Sequence, residues 1–403
     1  KETKMKIITA ESTNIDHSVA VKDVVEKIKA QGKPNLVVFS STVAYDVEKL
    51  YSAMKEELGD IPFQGGTSCG AVMTSSGYIS EDNRALGAVA FFDDDSDFGV
   101  GSQDKAGNPK AAAKKALEEA IDNADRSGEL PSAVWLVASP GGEEDIIEGL
   151  KEELGNDFPL IGGSSADNTI EGHWKQFSST GITNDSVTLV AIFDDTNVLT
   201  TAFSSGYDPS ENIGTVTKAG DRVILEIDNQ PAAEVYNKWA NGAIDEQMGG
   251  GQILGPSNIY PLGKKIGQVA NLDYYCLSHP ETVTEDKAIT LFTDVAEGEE
   301  ITCMNGSVDL LIERAGNVVK AAIEKEGITK DQITGAMIIF CAGCMMTIAD
   351  RMPEAAENLK KELGQDVPFF SMFTFGEQGS LAGGENAHGN LMISALIFTN
   401  KNL

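Results

Sequence analysis

Three stretches of the chain repeat the same order of apolar and polar positions. Each begins with an apolar run, continues through a loop of small residues into a helix, and reaches a second apolar run after a proline. The opening runs are Asn35–Ser41, Ala133–Ser139 and Ala336–Ala342. Runs that are apolar without alternation are typical of strands whose two faces are both covered by helices. The pattern therefore predicts three copies of one layered unit.

The helix in each copy ends in the same way, with Glu-Leu-Gly followed by a proline. Glycine can adopt the left-handed conformation that closes a helix, and a nearby proline prevents the helix from continuing. The glycines are Gly59, Gly155 and Gly364, and the prolines are Pro62, Pro159 and Pro368. A further helix precedes each copy, and a hairpin-like stretch and a last apolar strand follow it. The preceding helices are predicted at Val19–Ala30, Pro109–Ala124 and Leu310–Glu326.

The predicted fold class is α/β, with layered mixed sheets built from repeated α-β-α-β-β-β subdomains. The copies lie too far apart for solenoid repeats, so we interpret them as duplicated subdomains. Residues 198–297, between the second and third copies, contain strand-like segments and a glycine-rich tract and are interpreted as a β-rich connecting region. The predicted domains are 1–197, with subdomains at about 1–95 and 96–197, and 198–403, with the third subdomain at 298–403.

Composition argues against several classes of partner. The 403 residues include 62 acidic and 31 basic side chains, for a formal net charge of −31, and contain no basic cluster. Nucleic acid and anionic membranes are therefore poor partners. No apolar run approaches the roughly 20 residues that span a bilayer, and the first residues lack the pattern of a signal peptide, so we expect a cytoplasmic protein. Five cysteines, an odd number scattered over the chain, favour reduced thiols over a disulfide framework.

Small and polar residues stand where the second strand of each copy ends. In α/β proteins ligands bind beyond the carboxyl ends of strands, where backbone N–H groups can face the ligand. If the three copies converge, these residues would form the walls of one or two ligand pockets. In the alternative interpretation, a Gly-Gly-Ser-Ser segment forms only a tight turn. The candidates are Thr67, Ser68 and Cys69 in the first copy, Ser164, Ser165 and Asp167 in the second, and Thr374, Gly376 and Glu377 in the third.

The opening strand of the third copy ends in Phe-Cys-Ala-Gly-Cys-Met-Met, with thiols at Cys341 and Cys344. A strand that runs into a helix here would place two thiols one turn apart, where they can pair or share a soft metal. One CxxC supplies only two of the four ligands of structural zinc. Cysteine and methionine are also common core residues. Three interpretations stay open: a structural role, the rim of a ligand pocket, and a dedicated redox or metal site.

The chain resembles the FIST domain family over nearly its whole length, in both the N-terminal and the C-terminal part of that family. The resemblance rests on several motifs in the right order: GGTSCGAV (Gly65–Val72), GGSSAD (Gly162–Asp167), VILEIDNQPAAEVYNKW, the cysteine of FCAG, FTFGEQG (Phe373–Gly379) and the tail NAHGNLMISALIF. It implies a prokaryotic sensory domain that binds a small ligand, for which amino acids have been proposed, and that acts on a kinase, cyclase or chemoreceptor. Because the chain ends directly after its last strand, we expect this output protein to be separate.

The resemblance also implies an alternative, because some members of the family bind haem and respond to nitric oxide. A haem ligand would be a histidine that faces an apolar cavity. His388 is the first candidate, since it lies in the family-like tail, and His279 is the second. A soft-metal or redox protein that uses Cys341 and Cys344 is the remaining variant of this alternative.

One position departs from the family pattern, which tends to have an arginine shortly after the motif cysteine where this chain has Cys344. An arginine would suit an anion, so its absence argues against a simple transfer of an anionic ligand. We hypothesise a metabolite bound at the strand ends, with polar contacts from Ser165 and Glu377 and with Cys69 and Cys341 in the lining. No GxSxG or HExxH motif is visible, so we expect no enzyme, although a Cys341 nucleophile with a distant histidine and Glu377 is one rival and an interaction scaffold is another.

Overall fold

Each repeated stretch folds into an opening strand, helices that flank a parallel strand pair, a hairpin and a closing strand. The computed structural model describes residues 5–269 and 271–403; the first four residues, which begin the first predicted subdomain, and Ala270 lie outside the described residues. The first unit contains β1 (Lys6–Ser12), α1 (His17–Lys29), β2 (Leu36–Ser41), α2 (Val47–Leu58), β3 (Phe63–Thr67), β4 (Val72–Thr74), β5 (Gly77–Ile79) and β6 (Leu86–Phe92). The second unit contains β7 (Ser96–Asp104), α3 (Pro109–Asn123), β8 (Ala133–Ala138), α4 (Glu143–Leu154), β9 (Leu160–Ser164), β10 (Gln176–Ser178), β11 (Gly181–Thr183) and β12 (Ser186–Asp194).

The third unit is interrupted after its opening strand, β13 (Asn197–Ser204), by a β-rich insert. The insert contains β14 (Asp208–Gly220), β15 (Val223–Ile227), β16 (Gln230–Pro231), α5 (Ala232–Trp239), β17 (Gly251–Gln252), α6 (Leu254–Ser257), β18 (Leu262–Val269), β19 (Leu272–Ser278), β20 (Pro280–Val283), β21 (Ile289–Leu291) and β22 (Glu300–Asn305). The unit then resumes with α7 (Val308–Lys325), β23 (Ile333–Cys341), α8 (Ala342–Thr347), α9 (Met352–Leu363), β24 (Phe369–Thr374), β25 (Gly376–Ser380), β26 (Asn386–Gly389) and β27 (Ile393–Asn402).

The α/β fold class and the β-rich connecting region predicted from the sequence are confirmed. The three helices that end in Glu-Leu-Gly close as expected, because Gly59, Gly155 and Gly364 have φ of +58°, +88° and +116°. The structure adds one element to the predicted unit, since β1, β7 and β13 precede the first helix of each copy. Strand β1 alternates between buried and exposed positions and pairs only with β6 at the edge of its sheet, so its apolar signal is weaker than that of the central strands.

The three units are joined because each sheet takes its outer hairpin from another unit. The sheet orders are β1-β6-β2-β3-β10-β11, β7-β12-β8-β9-β25-β26 and β13-β27-β23-β24-β4-β5. The first unit's hairpin thus extends the third sheet, the second unit's hairpin extends the first sheet, and the third unit's hairpin extends the second sheet. In each case the partner strand is antiparallel to the incoming hairpin. The exchange closes the three units into a ring.

The inner faces of the three sheets meet in one apolar core, and helices cover the outer faces. Trp135 of the second unit lies 6.3 Å from Phe370 of the third, and Phe91 of the first lies 5.1 Å from Phe398 of the third, measured between ring centroids. The indole Nε1 of Trp135 donates to Gln64 Oε1 at 3.1 Å, which satisfies both buried polar groups. Strands buried on both faces explain the continuously apolar runs in the sequence.

The insert has its own small core around Tyr236 and docks on the third unit beside β26. The Asn390 backbone N–H donates to Leu277 O at 2.8 Å, and the His279 backbone N–H donates to the Asn390 side-chain oxygen at 3.1 Å. The insert therefore covers the carboxyl ends of the strands β23 and β24.

Candidate functional site

The carboxyl ends of β3, β9 and β24 meet, as the sequence hypothesis requires. A cyclic set of backbone hydrogen bonds joins the three units at this point. The donors and acceptors are Ala166 N to Thr67 O at 2.8 Å, Phe375 N to Ser164 O at 3.0 Å and Cys69 N to Phe373 O at 3.0 Å. The repeated tips thus gather around one centre.

The polar groups of the first two tips are buried and satisfied by the protein itself. Ser68 Oγ donates to Ala71 O and accepts from Phe373 N, and Ser165 Oγ donates to Ala138 O. The Asp167 carboxylate accepts four backbone N–H groups of the loop 169–173. Thr67, Ser68, Ser164, Ser165 and Asp167 are all 0% exposed. These predicted ligand residues hold the centre of the ring together.

A cavity of about 360 Å³ opens to one side of this centre, between the third unit, the second unit and the insert. Cys341 and Thr374, at the ends of β23 and β24, form its floor together with Gly343. Much of its wall is apolar and comes from the second unit, the insert and the third unit: Ile170, Trp174, Leu254, Phe292, Met346 and Phe375. Trp174 and Phe375 pack at right angles with ring centroids 6.1 Å apart. The cavity is concave and its accessible surface is mainly apolar, which is typical of a small-molecule site.

One edge of the cavity carries a cluster of charges around Arg222 of the insert. The Arg222 guanidinium contacts Glu143 Oε2 at 2.8 Å, Glu144 Oε2 at 2.6 Å and Asp294 Oδ1 at 2.9 Å. Burial alone would raise the pKa of Glu143, but His388 and Arg222 bring it down to about 2. Glu143, Glu144 and His388 present their ligand atoms within 4.8 Å of one another, yet the position of a cation between the carboxylates is taken by Arg222.

Both predicted histidine candidates are buried, and only His279 of the two lines the cavity. His388 Nε2 lies 3.2 Å from Phe292 O and its Nδ1 lies 3.0 Å from Gln378 Nε2, so both nitrogens have protein partners. His279 Nε2 donates to Leu254 O at 3.0 Å, and burial lowers the pKa of His279 to about 4. Gly376 packs against the His388 ring, where a Cβ would lie 2.5 Å from Cε1. The haem alternative stays a prediction.

The Cys-Ala-Gly-Cys segment lies where a strand becomes a helix, as expected: β23 ends at Cys341 and α8 begins at the next residue. Cys341 lines the cavity, whereas Cys344 is fully buried behind it. The Tyr207 hydroxyl lies 3.5 Å from Cys344 Sγ and donates to Asn258 O at 2.7 Å. Burial raises the pKa of Glu377, whose carboxyl accepts from Thr374 Oγ1 and Met392 N. Glu377 therefore supports the cavity floor from below.

The arginine that the family pattern has at the position of Cys344 is absent from this segment, but Arg314 of helix α7 interacts with Cys344. Arg314 on α7 is 2% exposed, and its Nη1 donates to Ser205 O at 2.7 Å and Leu391 O at 2.5 Å. Its guanidinium lies 5.2 Å from the centre of the Phe340 ring. The buried face of α7 includes Leu311, Arg314, Ala315 and Val318. Arg314 was not singled out from the sequence, although its position among the apolar residues of one helix face could have indicated a buried cation.

Other residues at the cavity carry no such signal. Trp174, Arg222, Asn258 and Phe292 come from segments whose local pattern shows only turns and short strands. Arg222, Asn258 and Phe292 reach the cavity because the insert folds over the third unit, and Trp174 reaches it from the second unit. Neither Cys69 nor Ser165, both expected at the ligand, lines this cavity.

Family models match almost the whole described fold. The FIST N domain matches residues 35–230 and the FIST C domain matches residues 232–380. The chain belongs to the FIST family. FIST domains are associated with sensory signal transduction, and this family assignment agrees with the resemblance seen in the sequence motifs.

Individual relatives of this FIST chain are distant. An uncharacterized protein, MJ1623, of Methanocaldococcus jannaschii is 23% identical over 228 residues, which cover 52% of this chain and 42% of that protein. The FIST chain thus matches less than half the length of this curated relative. Two structures of cyanuric acid hydrolase, one of them from A. caulinodans, align with 98% of this chain and 100% of theirs, at 10% and 9% identity and TM-scores of 0.40 and 0.39. Likeness at this level carries no argument about function.

None of the described helices of this FIST chain combines the length and the hydropathy that a membrane-crossing helix needs.

Proposed function

We propose that this FIST chain is a sensory protein, not an enzyme, and that it binds a small molecule in the cavity beside Cys341 and Thr374. The observation that carries the proposal is the position of the cavity. It lies at the carboxyl ends of β23 and β24 and is covered by the insert, and its volume of about 360 Å³ suits a small metabolite. The family's association with sensory signal transduction supports the same function.

The charges at the cavity favour a ligand without net negative charge. Among the described residues that line it, Arg222 is the one cationic side chain, and three carboxylates already surround it. His279 is neutral near pH 7, because burial lowers its pKa to about 4. A free carboxylate in the cavity would have no unpaired cation to offset its desolvation. Among metabolites related to amino acids, uncharged derivatives such as amides fit this wall better than the free acids.

Binding in this cavity couples the ligand to the position of the insert. The second and third units supply Trp174, Cys341 and Phe375, whereas the insert supplies His279 and Phe292. A ligand that contacts both sides favours the arrangement in which they are close together, and so shifts the population of that arrangement. A separate output protein of the kinase, cyclase or chemoreceptor class would then read the change.

The proposal is tested by closing the cavity without disturbing the fold. Gly255 lines the cavity, and a Cβ added there meets open space. Gly255→Trp should fold normally and lose binding, whereas Gly249→Trp, also on the insert with open space around its Cβ, should keep it. Thermal-shift screening of metabolites on the parent chain and both variants measures this. Each acid in the screen is paired with its amide, as in benzoate and benzamide.

The expected result is a set of compounds that stabilise the parent chain and the Gly249→Trp variant but not the Gly255→Trp variant. Absence of any such compound at millimolar concentration would refute the cavity as a ligand site. A stronger response to benzoate than to benzamide would leave the site standing and refute the proposed ligand charge.

A further inference from the structure

The guanidinium of Arg314 is buried without an anionic partner of the usual kind. No carboxylate of the described residues forms an ion pair with it, and its Nε and Nη2 have no hydrogen-bond acceptor. A buried charge without a counter-charge is strongly unfavourable, and each unsatisfied N–H adds to this cost. Offsetting this cost requires an anion among the groups that interact with Arg314, which are Cys344, Tyr207, Cys341 and Glu377.

Cys344 is the group that meets this requirement. Its sulfur lies 3.5 Å from the Tyr207 hydroxyl. Although burial alone would raise the pKa of Cys344, Cys341 and Arg314 lower it to about 6. The carboxyl of Glu377 also interacts with Arg314, but burial raises its pKa well above the usual value and its oxygens already accept from Thr374 and Met392. A thiolate at Cys344 would give Arg314 a counter-charge and would be an acceptor for its free N–H groups.

Cys341 connects this thiolate to the cavity. Burial raises the pKa of the Cys341 thiol, and the neighbouring Cys344 raises it further. Cys341 is also part of the cavity floor, so a small molecule in the cavity can reach its sulfur. Residues three apart at the beginning of a helix are neighbours, and both cysteines are free thiols, so a disulfide can form with a small local adjustment.

We propose that Cys341 and Cys344 form a redox-active pair, which a small organic hydroperoxide that enters the cavity oxidises to a disulfide. The apolar walls formed by Trp174, Phe292 and Phe375 suit the organic part of such an oxidant. The proposal uses the cavity only as a route of access and does not depend on the identity of the sensed ligand.

The reaction transfers two electrons from the two sulfurs to the peroxide bond. A proton passes from Cys341 to the Cys344 thiolate, and the Cys341 sulfur attacks an oxygen of the hydroperoxide, forming an S–O bond while the O–O bond breaks. The leaving alkoxide takes the proton from Cys344 and departs as the alcohol. The Cys344 thiolate then attacks the Cys341 sulfur, the S–S bond forms, and hydroxide leaves and is protonated by solvent to water.

Oxidation should also reach the insert. A disulfide removes the anion beside Arg314 and displaces Cys344 from its contact with Tyr207, whose hydroxyl holds Asn258 O of the insert. We therefore expect the oxidised chain to unfold at a lower temperature than the reduced chain, because Arg314 is then left without a counter-charge.

The test treats the reduced full chain with cumene hydroperoxide and measures intact mass and peptide maps. The expected result is the loss of two hydrogens, located in a Cys341–Cys344 disulfide and reversed by dithiothreitol. Cys344→Ser should stop the reaction at a Cys341 sulfenic acid that dimedone labels. Cys303→Ser removes a buried thiol elsewhere and should leave the disulfide unchanged.

Two further variants test the parts played by Arg314 and the cavity. Arg314→Gln should slow oxidation about tenfold at pH 7 and move the midpoint of the pH–rate profile upward, since less thiolate is present. Arg314→Lys keeps the charge and should stay closer to the parent profile, which separates a charge effect from a loss of packing. Gly255→Trp should slow oxidation by cumene hydroperoxide more than oxidation by hydrogen peroxide.

An unchanged mass, or a loss of hydrogens that maps to another cysteine, overturns the proposal. A chain that binds metabolites in the thermal-shift screen but never forms this disulfide would retain the sensory function and refute the redox pair. A chain that forms the disulfide but binds no metabolite would retain the redox pair and refute the sensory function.

Discussion

Two buried ionisable side chains, His279 and Glu143, make the stability of the fold depend on pH. His279 is held neutral in the wall of the cavity, because burial lowers its pKa from 6.5 to about 4 while the ring donates to Leu254 O. Glu143 is held ionised, because His388 and Arg222 outweigh its burial and bring its pKa to about 2. The two groups make stability depend on pH in two different windows.

The window of His279 lies between pH 6.5 and 4. The unfolded chain takes up a proton on this residue below about pH 6.5, whereas the folded chain does so only near pH 4, so this contribution is complete above 6.5 and is lost as the pH falls to 4. The loss should amount to about 3 kcal/mol. Urea unfolding at a series of pH values measures it, and His279→Gln should show a flatter dependence in this range.

The contribution of Glu143 should begin to fall only below pH 4.5 and be lost near pH 2, so it overlaps with that of His279 only between about pH 4.5 and 4. The free energy of unfolding of the parent chain and of His279→Gln could instead change equally with pH between 6.5 and 4. In that case the neutral buried histidine does not cause the pH dependence of stability in this range.

At the scale of elements, ion pairs of Arg222 join the insert to the second unit. Arg222 lies between β14 and β15 and contacts Glu143 and Glu144 at the beginning of α4. The side chain of Glu143 is 4% exposed, whereas that of Arg222 is 23% exposed. Glu143 is therefore the more buried partner of the ion pair, so removal of Arg222 leaves a buried carboxylate without this partner.

Arg222→Met should destabilise the chain by about 3 kcal/mol, because a buried carboxylate loses its partner. Adding Glu143→Gln to this variant should restore part of the stability, since the unpaired charge is then gone. Urea unfolding of the single and double variants measures the difference. Arg351→Met, which breaks exposed ion pairs with Asp309 and Glu354, is the matched control and should cost at most about 1 kcal/mol. Equal losses at both sites would contradict the argument.

The contact between β7 and α3 depends on small residues on both elements. A Cβ on Gly99 would lie 1.8 Å from Ala120 O, and one on Gly101 would lie 1.8 Å from Ala116 O. The backbone of the strand therefore touches the backbone of the helix, and no side chain fits between them.

Gly101→Ala should cost about 2–3 kcal/mol, because α3 must move away from the sheet. Gly220→Ala serves as the control in β14, where a Cβ meets open space, and it should change stability by less than about 0.5 kcal/mol. Thermal or urea unfolding of both variants measures the contrast. A mild effect at Gly101 would mean that the helix and strand are less tightly packed than the structure indicates.

At the scale of the whole molecule, the exchange of hairpins makes the three units interdependent. Strand β4 of the first unit pairs with β24, and Ser68 Oγ accepts from Phe373 N at 2.8 Å in the buried centre. Strand β9 of the second unit pairs with β25 of the third. A cut between the second and third units therefore removes a partner from two of the three sheets.

A chain divided between residues 197 and 198 tests this interdependence. We expect residues 1–197 produced alone to lack a sharp unfolding transition, because β9 loses its partner and the hairpin β4–β5 loses β24. Co-production of both fragments should restore a transition close to that of the intact chain. Calorimetry measures each case, and a fragment that unfolds as sharply as the intact chain would show that the N-terminal half is independent.

The sequence by itself determined the features that depend on near neighbours along the chain. Helix ends at Gly59, Gly155 and Gly364, the buried central strands and the strand-to-helix junction at Cys341 all follow from local periodicity and from the conformations that glycine and proline permit. The family motifs could be recognised for the same reason, because each is a short continuous segment of the chain.

Only the tertiary structure decided which of the repeated tips became a cavity and which became the sealed centre of the ring. Thr67 and Ser165 have the same residue chemistry as Thr374, yet the insert covers the third tip from a distance and leaves space beside it, whereas the other two tips pack against each other. The placement of Arg314 beside Cys344 and of Arg222 beside Glu143 likewise joins segments far apart in the sequence. Such contacts depend on how whole elements pack, and a local pattern carries no information about the distant partner.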